Sequence, residues 1–477
     1  MISGWFGLRW GLAPVDNPGI WRSRAPEVGR GGRPSARICE RRIVRQRPGV
    51  VLLGLLLIAL LARLAFAVWA VGLDGPLRGD EINYQDHAVN LASGRGFVGS
   101  DGLPAASRPP IFPLILGGLY RVFGVHLEVA RIFQILLGVL VVALTYLLAG
   151  RLFTTRIGLV AAALVAINPY LVFISSYVLT ENLYTVLGLT VLLVLEIGRR
   201  RAYAGIWLPA LAGGLIGLAS LTRPNAVGLV AFAAIAVTAF SSGGLARRSL
   251  RGAVVVAAMI LALAPWTLRN HARLGEWVVL TTHGGITFYQ SNNPLVCSEP
   301  AFYGSVAPRE ALPGWERIIS SATDTASDRE AWRLGKTFLR ENPRAIPGLL
   351  LRKFTRFWRL QSHAPSSGVK GGWWWNKHSP LGRIASQVDV GVVYAAVVIP
   401  GFLLGLVLTF GDWRKLFMLY GMIAVHVAAA LVFYGSLRAR LPIEPVMAIF
   451  AAYAACWLAA HVRRAPRAGP LVPGSRD

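Results

Sequence analysis

Apolar and polar positions alternate along this chain in long blocks rather than in short amphipathic repeats. Residues 49–72, GVVLLGLLLIALLARLAFAVWAVG, form the first apolar block. About 20 such residues cross the hydrocarbon core of a bilayer as a helix. Further blocks of spanning length lie at approximately 126–150, 157–175, 182–198, 204–221, 225–241, 252–268, 390–410, 415–434 and 441–461. With the first they predict about ten transmembrane helices. The run 108–124, RPPIFPLILGGLYRVFG, is apolar but short and opens on prolines. It reads as an interfacial or re-entrant helix. Residues 81–93 place Ile82, Ala88, Val89 and Ala92 among polar neighbours, which fits a short helix lying along the membrane. The pattern predicts an all-α polytopic membrane protein.

The polar punctuation supplies an orientation. Residues 1–47 are rich in Arg, Gly and Pro without an apolar period and read as a basic, disordered cytoplasmic N-terminus. That stretch is too polar for the apolar core of a signal peptide. No Met follows Met1 until Met259, so a start at a later non-Met codon stays open; sequencing the mature N-terminus settles it. Arg151 and Arg156, Arg199–Arg201, Arg247–Arg251, Arg414–Lys415 and Arg463–Arg464 all fall on the side of that N-terminus. This is the distribution expected of cytoplasmic loops. The chain then divides into a transmembrane catalytic core, 48–268, with a first outer loop at 73–125. An outer segment at 269–389, C-terminal transmembrane helices at 390–462 and a cytoplasmic tail at 463–477 follow. Within the outer segment, Ser327-x-x-Glu330 reads as a capping box opening a helix that Asn342-Pro343 ends. A second helix, about 345–360, carries Arg352, Arg356 and Arg359 on one face and Leu350, Phe354 and Phe357 on another, as an interfacial basic helix does. Trp373–Trp375 reads as an anchor at headgroup level.

Composition sharpens this picture. The chain is 54% hydrophobic and only 15% charged, where soluble domains carry roughly 25%. Its formal net charge is +26. Because the basic clusters fall between apolar runs, they favour positive-inside loops and anionic lipid over nucleic acid. Cys39, Cys297 and Cys456 are widely separated and match neither a metal spacing nor a disulfide framework.

Candidate chemistry gathers on the outer side. The stretch 77–97, LRGDEINYQDHAVNLASGRGF, presents Asp80 and Glu81 just beyond the first span. Adjacent carboxylates near lipid are costly unless solvated, paired or used. One reading is a general base with a substrate-orienting partner; the other is a solvated pair complementing a helix N-terminus. Arg108, Arg223, Arg269, Arg438 and Arg440 lie at outer helix ends. Guanidinium forks hold phosphate bidentately, although snorkelling to headgroups is the plainer use of each alone. Glu181 either contacts substrate or caps the helix it opens. Tyr289, Asn292 and Asn293, in GGITFYQSNNP, either read sugar hydroxyls or form a turn. His87 and His283 are the histidines that a metal shared with Asp80 or Glu81 would use, but no HxxxH or HExxH spacing supports them, so no metal ligand is assigned and a divalent metal is left open. Gly94-x-Gly96-x-x-Gly99 follows no strand and is not a dinucleotide site.

The order of these motifs resembles a family. An outer Asp80-Glu81 and Tyr84 precede Gly94-x-Gly96-Phe97, RPPIFP, Phe123-Gly124 and Arg131. TEN at 180–182, LTRPN at 221–225, WTLRN at 266–270, GGITFYQSNNP at 284–294 and RARLPIEP at 438–445 follow. The chain is similar, over about 50–460, to the protein O-mannosyltransferase and lipid A aminoarabinose transferase superfamily, glycosyltransferase family 39-like, of the GT-C fold. The resemblance implies a polyprenyl-phosphate-linked sugar donor and inverting transfer, by a hexosyl- or pentosyltransferase, on the outer face of the cytoplasmic membrane. It implies Asp80 as the catalytic carboxylate and Glu81 as its partner, with Tyr84, Arg108, Arg131, Glu181, Arg223, Arg269, Tyr289, Asn292, Asn293, Arg438 and Arg440 around the substrates. Membrane lipid and an acceptor glycan, lipid or protein are the implied partners. Two alternatives stay open: a transporter or flippase of polyprenyl-linked glycan, and a polysaccharide polymerase or ligase. Transporters place ionisable groups near the midplane and often carry inverted repeats. Here the polar motifs crowd the outer rim and no repeat is evident, which favours an enzyme.

Overall fold

The computed structural model describes residues 48–321, 323–360 and 390–462. The expectations for the N-terminus 1–47, Cys39, the Trp373–Trp375 anchor and the tail 463–477 lie outside the described residues. Among the described residues the secondary structure is helical, apart from one isolated antiparallel bridge between Val98 and Pro104.

Six helical stretches are long and apolar enough to cross a membrane: Pro48–Val71, Leu127–Leu152, Glu181–Arg200, Leu245–Leu274, Val390–Val432 and Leu437–Val462. Val390–Val432 holds two helices, Val390–Thr409 and Trp413–Val432, joined by a 3₁₀ turn. The first stretch shows its lipid-facing side plainly, since Val50, Leu53, Leu57 and Leu61 are each more than half exposed. Three expected spans are shorter than the sequence suggested. Thr155–Ala166, Trp207–Ser220 and Leu229–Phe240 have 12, 14 and 12 residues, and 1.5 Å per residue does not take them across the hydrocarbon core.

The break at the end of Thr155–Ala166 has an identifiable cause. Asn168 caps a new short helix, Pro169–Ile174, by accepting from Tyr170 N at 2.9 Å and Leu171 N at 3.1 Å. The interrupted helix leaves carbonyls that lipid cannot satisfy. Arg63 of the first span, fully buried, donates to Ala166 O at 3.2 Å and Val165 O at 3.4 Å. Close helix contacts complete the bundle. Gly213 and Gly217 of Trp207–Ser220 face Val255, Met259 and Ala262 of Leu245–Leu274, where a Cβ would strike the Val255 carbonyl. Small residues four apart permit that approach.

Between the first span and Leu127 lie two packed helices, Asp80–Ala92 and Ile111–Phe123. The segment that follows Leu245–Leu274 builds a small core of its own from Tyr289, Val296, Leu312, Ile318, Ala331 and Leu349. Its main helix, Asp324–Glu341, ends at Asn342 as the sequence suggested but begins a turn earlier. Thr323, not Ser327, is the N-cap, accepting from Ala326 N at 3.2 Å, while Ser327 donates to Ile318 O. The next helix, Ile346–Phe357, also departs from expectation. Its basic face turns inward: Arg352 donates to Cys297 O, Arg356 to Tyr303 O and Lys353 to Asn292 Oδ1. Leu350, Leu351 and Phe354 are exposed instead.

Candidate active site

Asp80 is the first residue of its helix, and the backbone before it is shaped to present it. Gly79 adopts φ +55° and ψ −121°, a conformation a Cβ makes costly. Glu81, next in sequence, turns away. Its carboxylate accepts from Val178 N at 2.8 Å and Arg78 N at 3.0 Å, fastening its helix to the turn before Glu181. Burial nevertheless outweighs those two bonds and raises its pKa.

Asp80 faces a cavity of about 220 Å³ lined by Tyr84, Ser107, Arg108, Thr222, Arg223, His283, His426, Phe433, Tyr434 and Arg438, among others. Each Asp80 oxygen meets a guanidinium: Arg108 Nη2 lies 2.7 Å from Oδ1 and Arg438 Nη1 2.7 Å from Oδ2. Arg438 also donates through Nε to Glu181, whose same oxygen lies 2.6 Å from Arg223 Nη1. The chain Arg108–Asp80–Arg438–Glu181–Arg223 therefore holds three cations and two anions. The two arginines beside Asp80 overcome its desolvation and hold its pKa far below the ordinary carboxylate range. His283 is pushed down to about 3, by burial first and then by Arg108 and Arg309, so it is neutral near pH 7. Its Nε2 sits 3.1 Å from Arg309 Nη2 and serves as acceptor there.

Local structure explains why these side chains converge. Arg223 precedes Pro224 and is held extended, as a residue before proline prefers. Ser436 caps the turn carrying Arg438 by accepting from Ala439 N at 3.0 Å. Ile111 N donates to Leu221 O, and Thr281 Oγ1 to Ser107 O, which draws the Arg108 loop against both its neighbours. Several buried polar atoms at this end make no hydrogen bond within the described residues: Glu181 Oε2, Arg223 Nη1, Tyr184 Oη and His426 Nε2.

Other arginines singled out in the sequence serve backbone carbonyls rather than the cavity. Arg131 donates to Gly72 O, Leu73 O and Gly75 O, clamping the turn before Asp80. Arg269 donates to Phe97 O and Ala105 O, with Phe97 and Trp266 rings beside it. Arg440 is fully buried against Glu444 at 2.8 Å and donates to Phe357 O and Arg359 O. Tyr289 donates to Pro313 O, Asn293 to Tyr289 O, and Asn292 to Phe288 O and Val432 O. These positions build the walls and the outer segment. Among the described residues no three His, Cys, Asp or Glu side chains converge. With both Asp80 oxygens on guanidinium groups, the set does not suit a cation.

Comparisons with known proteins fit this architecture. The pattern of the dolichyl-phosphate-mannose-protein mannosyltransferase family matches residues 107–268. No curated protein sequence matches the chain. The fold matches the oligosaccharyltransferase AglB of Archaeoglobus fulgidus, solved with an inhibitory peptide and a dolichol-phosphate, at TM-score 0.52 and 16% identity over 90% of this chain and 52% of that one. This is a GT-C fold. The apo form of the Archaeoglobus enzyme matches at TM-score 0.51 and 14% identity, over 88% of this chain and 51% of that one. The chain thus spans about half the length of these GT-C proteins. ArnT from Cupriavidus metallidurans, bound to undecaprenyl phosphate, is more distant in shape, at TM-score 0.42 and 17% identity over 86% of this chain and 78% of that one.

Proposed function

We propose that the chain is a glycosyltransferase moving a sugar from a polyprenyl-phosphate donor to an acceptor on the outer face of the cytoplasmic membrane. The observation that carries this reading is the pairing of Asp80 with Arg108 and Arg438 on the wall of one cavity, with Arg223 and Glu181 behind them. Three guanidinium groups suit a phosphate that gains charge as it leaves. Asp80, about a third exposed, stands where an acceptor hydroxyl or amine can reach it.

The resting network shapes the order of events. A carboxylate held by two arginines is a weak base. A donor phosphate entering the cavity competes for those guanidinium groups and releases Asp80. The freed carboxylate accepts the acceptor's proton, and the nucleophile attacks the anomeric carbon. The bond between that carbon and the phosphate oxygen breaks, and its electron pair stays on the polyprenyl phosphate. Arg108, Arg223 and Arg438 balance the new charge. Tyr84 and neutral His283, held from behind by the Arg309 guanidinium, supply polar contacts at the same wall.

Purified protein in lipid, given a panel of polyprenyl-phosphate sugars with and without chelator, tests the reading. Asp80→Asn should cut transfer by roughly 100-fold or more without lowering expression. Full activity in that variant would remove Asp80 from the role of base.

A further inference from the structure

One wall of the Asp80 cavity carries a histidine for which the reaction above has no use. His426 lies six residues before the end of Trp413–Val432, about 9 Å along the helix at 1.5 Å per residue. It lines the cavity together with Thr180, Thr222 and Asn225. Its Nδ1 sits 2.8 Å from Met422 O, a hydrogen bond that needs the proton on that nitrogen. In the uncharged ring Nε2 then holds the lone pair, points away from the helix's own backbone and can only accept. This atom is buried and has no hydrogen-bond partner among the described residues. Tyr184 Oη, on Glu181–Arg200, is a second buried polar atom without one, and the two rings lie 5.6 Å apart. A buried lone pair left unpaired costs free energy that a bound donor group recovers. The chemistry of the proposed substrates selects that group. An ionised phosphate has no hydrogen to offer Nε2, and a polyprenyl chain has no polar atom. The acceptor's nucleophile has to reach Asp80, whose side chain is about a third exposed, whereas His426 is buried. The sugar of the donor, joined to the phosphate, supplies hydroxyl hydrogens at that depth.

We propose that His426 Nε2 accepts a hydrogen bond from one hydroxyl of the donor sugar and so helps to set which sugar the cavity takes. This role rests on the transferase reading, and a binding measurement separates the two. Full-length protein in lipid micelles is titrated with undecaprenyl phosphate alone and with its mannosyl, glucosyl, galactosyl and arabinosyl forms. The native chain should bind one of the four sugar lipids roughly tenfold or more tighter than the bare lipid. His426→Phe, which keeps a ring without an acceptor, should bring that ratio close to one. His426→Gln, which keeps a polar group near the place of Nε2, should restore part of it. Among monodeoxy forms of the preferred sugar lipid, one should lose the same factor against the native chain and nothing further against His426→Phe. A native chain that prefers none of the four, or that is indifferent to every deoxy position, overturns the role. So does a ratio that survives in His426→Phe, which would leave Nε2 to a buried water. A native chain that binds no undecaprenyl phosphate, with or without sugar, removes the transferase reading and this role with it.

Discussion

Single residues divide into those that face a cavity and those that hold the backbone, and Lys353 shows what the second kind costs. It is almost wholly buried and donates to Asn292 Oδ1 at 2.8 Å and to Leu431 O and Val432 O at 3.2 Å. Those bonds satisfy the last carbonyls of Trp413–Val432 and tie the outer segment to that helix. Burial pushes its pKa down to about 7, against about 10.4 in an unfolded chain. The unfolded chain therefore binds more protons between pH 7 and 10, and stability rises with pH across that window. Thermal unfolding followed from pH 7 to pH 9.5 should show this rise in the native chain. Lys353→Gln should flatten it while keeping a donor for the carbonyls. An unchanged slope in the variant would mean that Lys353 is not the titrating group. The tyrosines held above their usual pKa, such as Tyr84, act only at higher pH and with the opposite sign.

At the scale of elements, the interrupted helix Thr155–Ala166 is the informative case. Apolar run length alone joined it to the following residues as one span at 157–175, because hydropathy does not register one Asn before a Pro. The chain ends it at Asn168-Pro169, and Arg63 crosses from the first span to take the abandoned Ala166 carbonyl and to add a bond to the Val165 carbonyl, which also accepts from Asn168 N. Arg63→Met keeps the volume and removes the donors. It should cost roughly 1–3 kcal/mol for each carbonyl left unsatisfied, seen as a lower unfolding midpoint in detergent, with Arg63→Lys recovering part of the loss. A methionine variant as stable as the native chain would show that the cap is dispensable. The same contrast marks how far the sequence reached toward the site. Asp80, Arg108, Glu181, Arg223 and Arg438 were legible as charges at helix ends; four of them line one cavity, and Glu181 joins Arg223 to Arg438 behind it. Arg131, Arg269 and Arg440 carry the same signature but donate to carbonyls. A linear sequence does not distinguish a guanidinium aimed at a cavity from one aimed at a peptide oxygen. Arg309 was missed because it sits in APREALPG, a loop without periodicity or motif, and only the fold brings it to His283.

The whole molecule is polarised end to end, and this polarity decides whether the proposed chemistry has a place to occur. One end gathers Arg151, Arg156, Arg199, Arg200, Arg201, Arg247, Arg248, Arg251, Arg414 and Lys415 around short connections. The other gathers the Asp80 cluster with the helices Asp80–Ala92, Ile111–Phe123 and Asp324–Glu341. Lys and Arg in short connections beside spanning helices hold that end in the cytoplasm. The Arg414 end should therefore face the cytoplasm and the Asp80 end the opposite side. Single cysteines introduced in a chain freed of Cys39, Cys297 and Cys456 test this in intact cells. Asp101→Cys lies in the first outer loop and is exposed; a membrane-impermeant maleimide should label it directly. Arg247→Cys, exposed at the other end, should react only after the membrane is opened. Labelling of both positions from outside would contradict the bundle's polarity. Direct labelling of Arg247→Cys with protection of Asp101→Cys would invert it, placing Asp80 where a lipid-phosphate sugar presented on the outer leaflet never meets it.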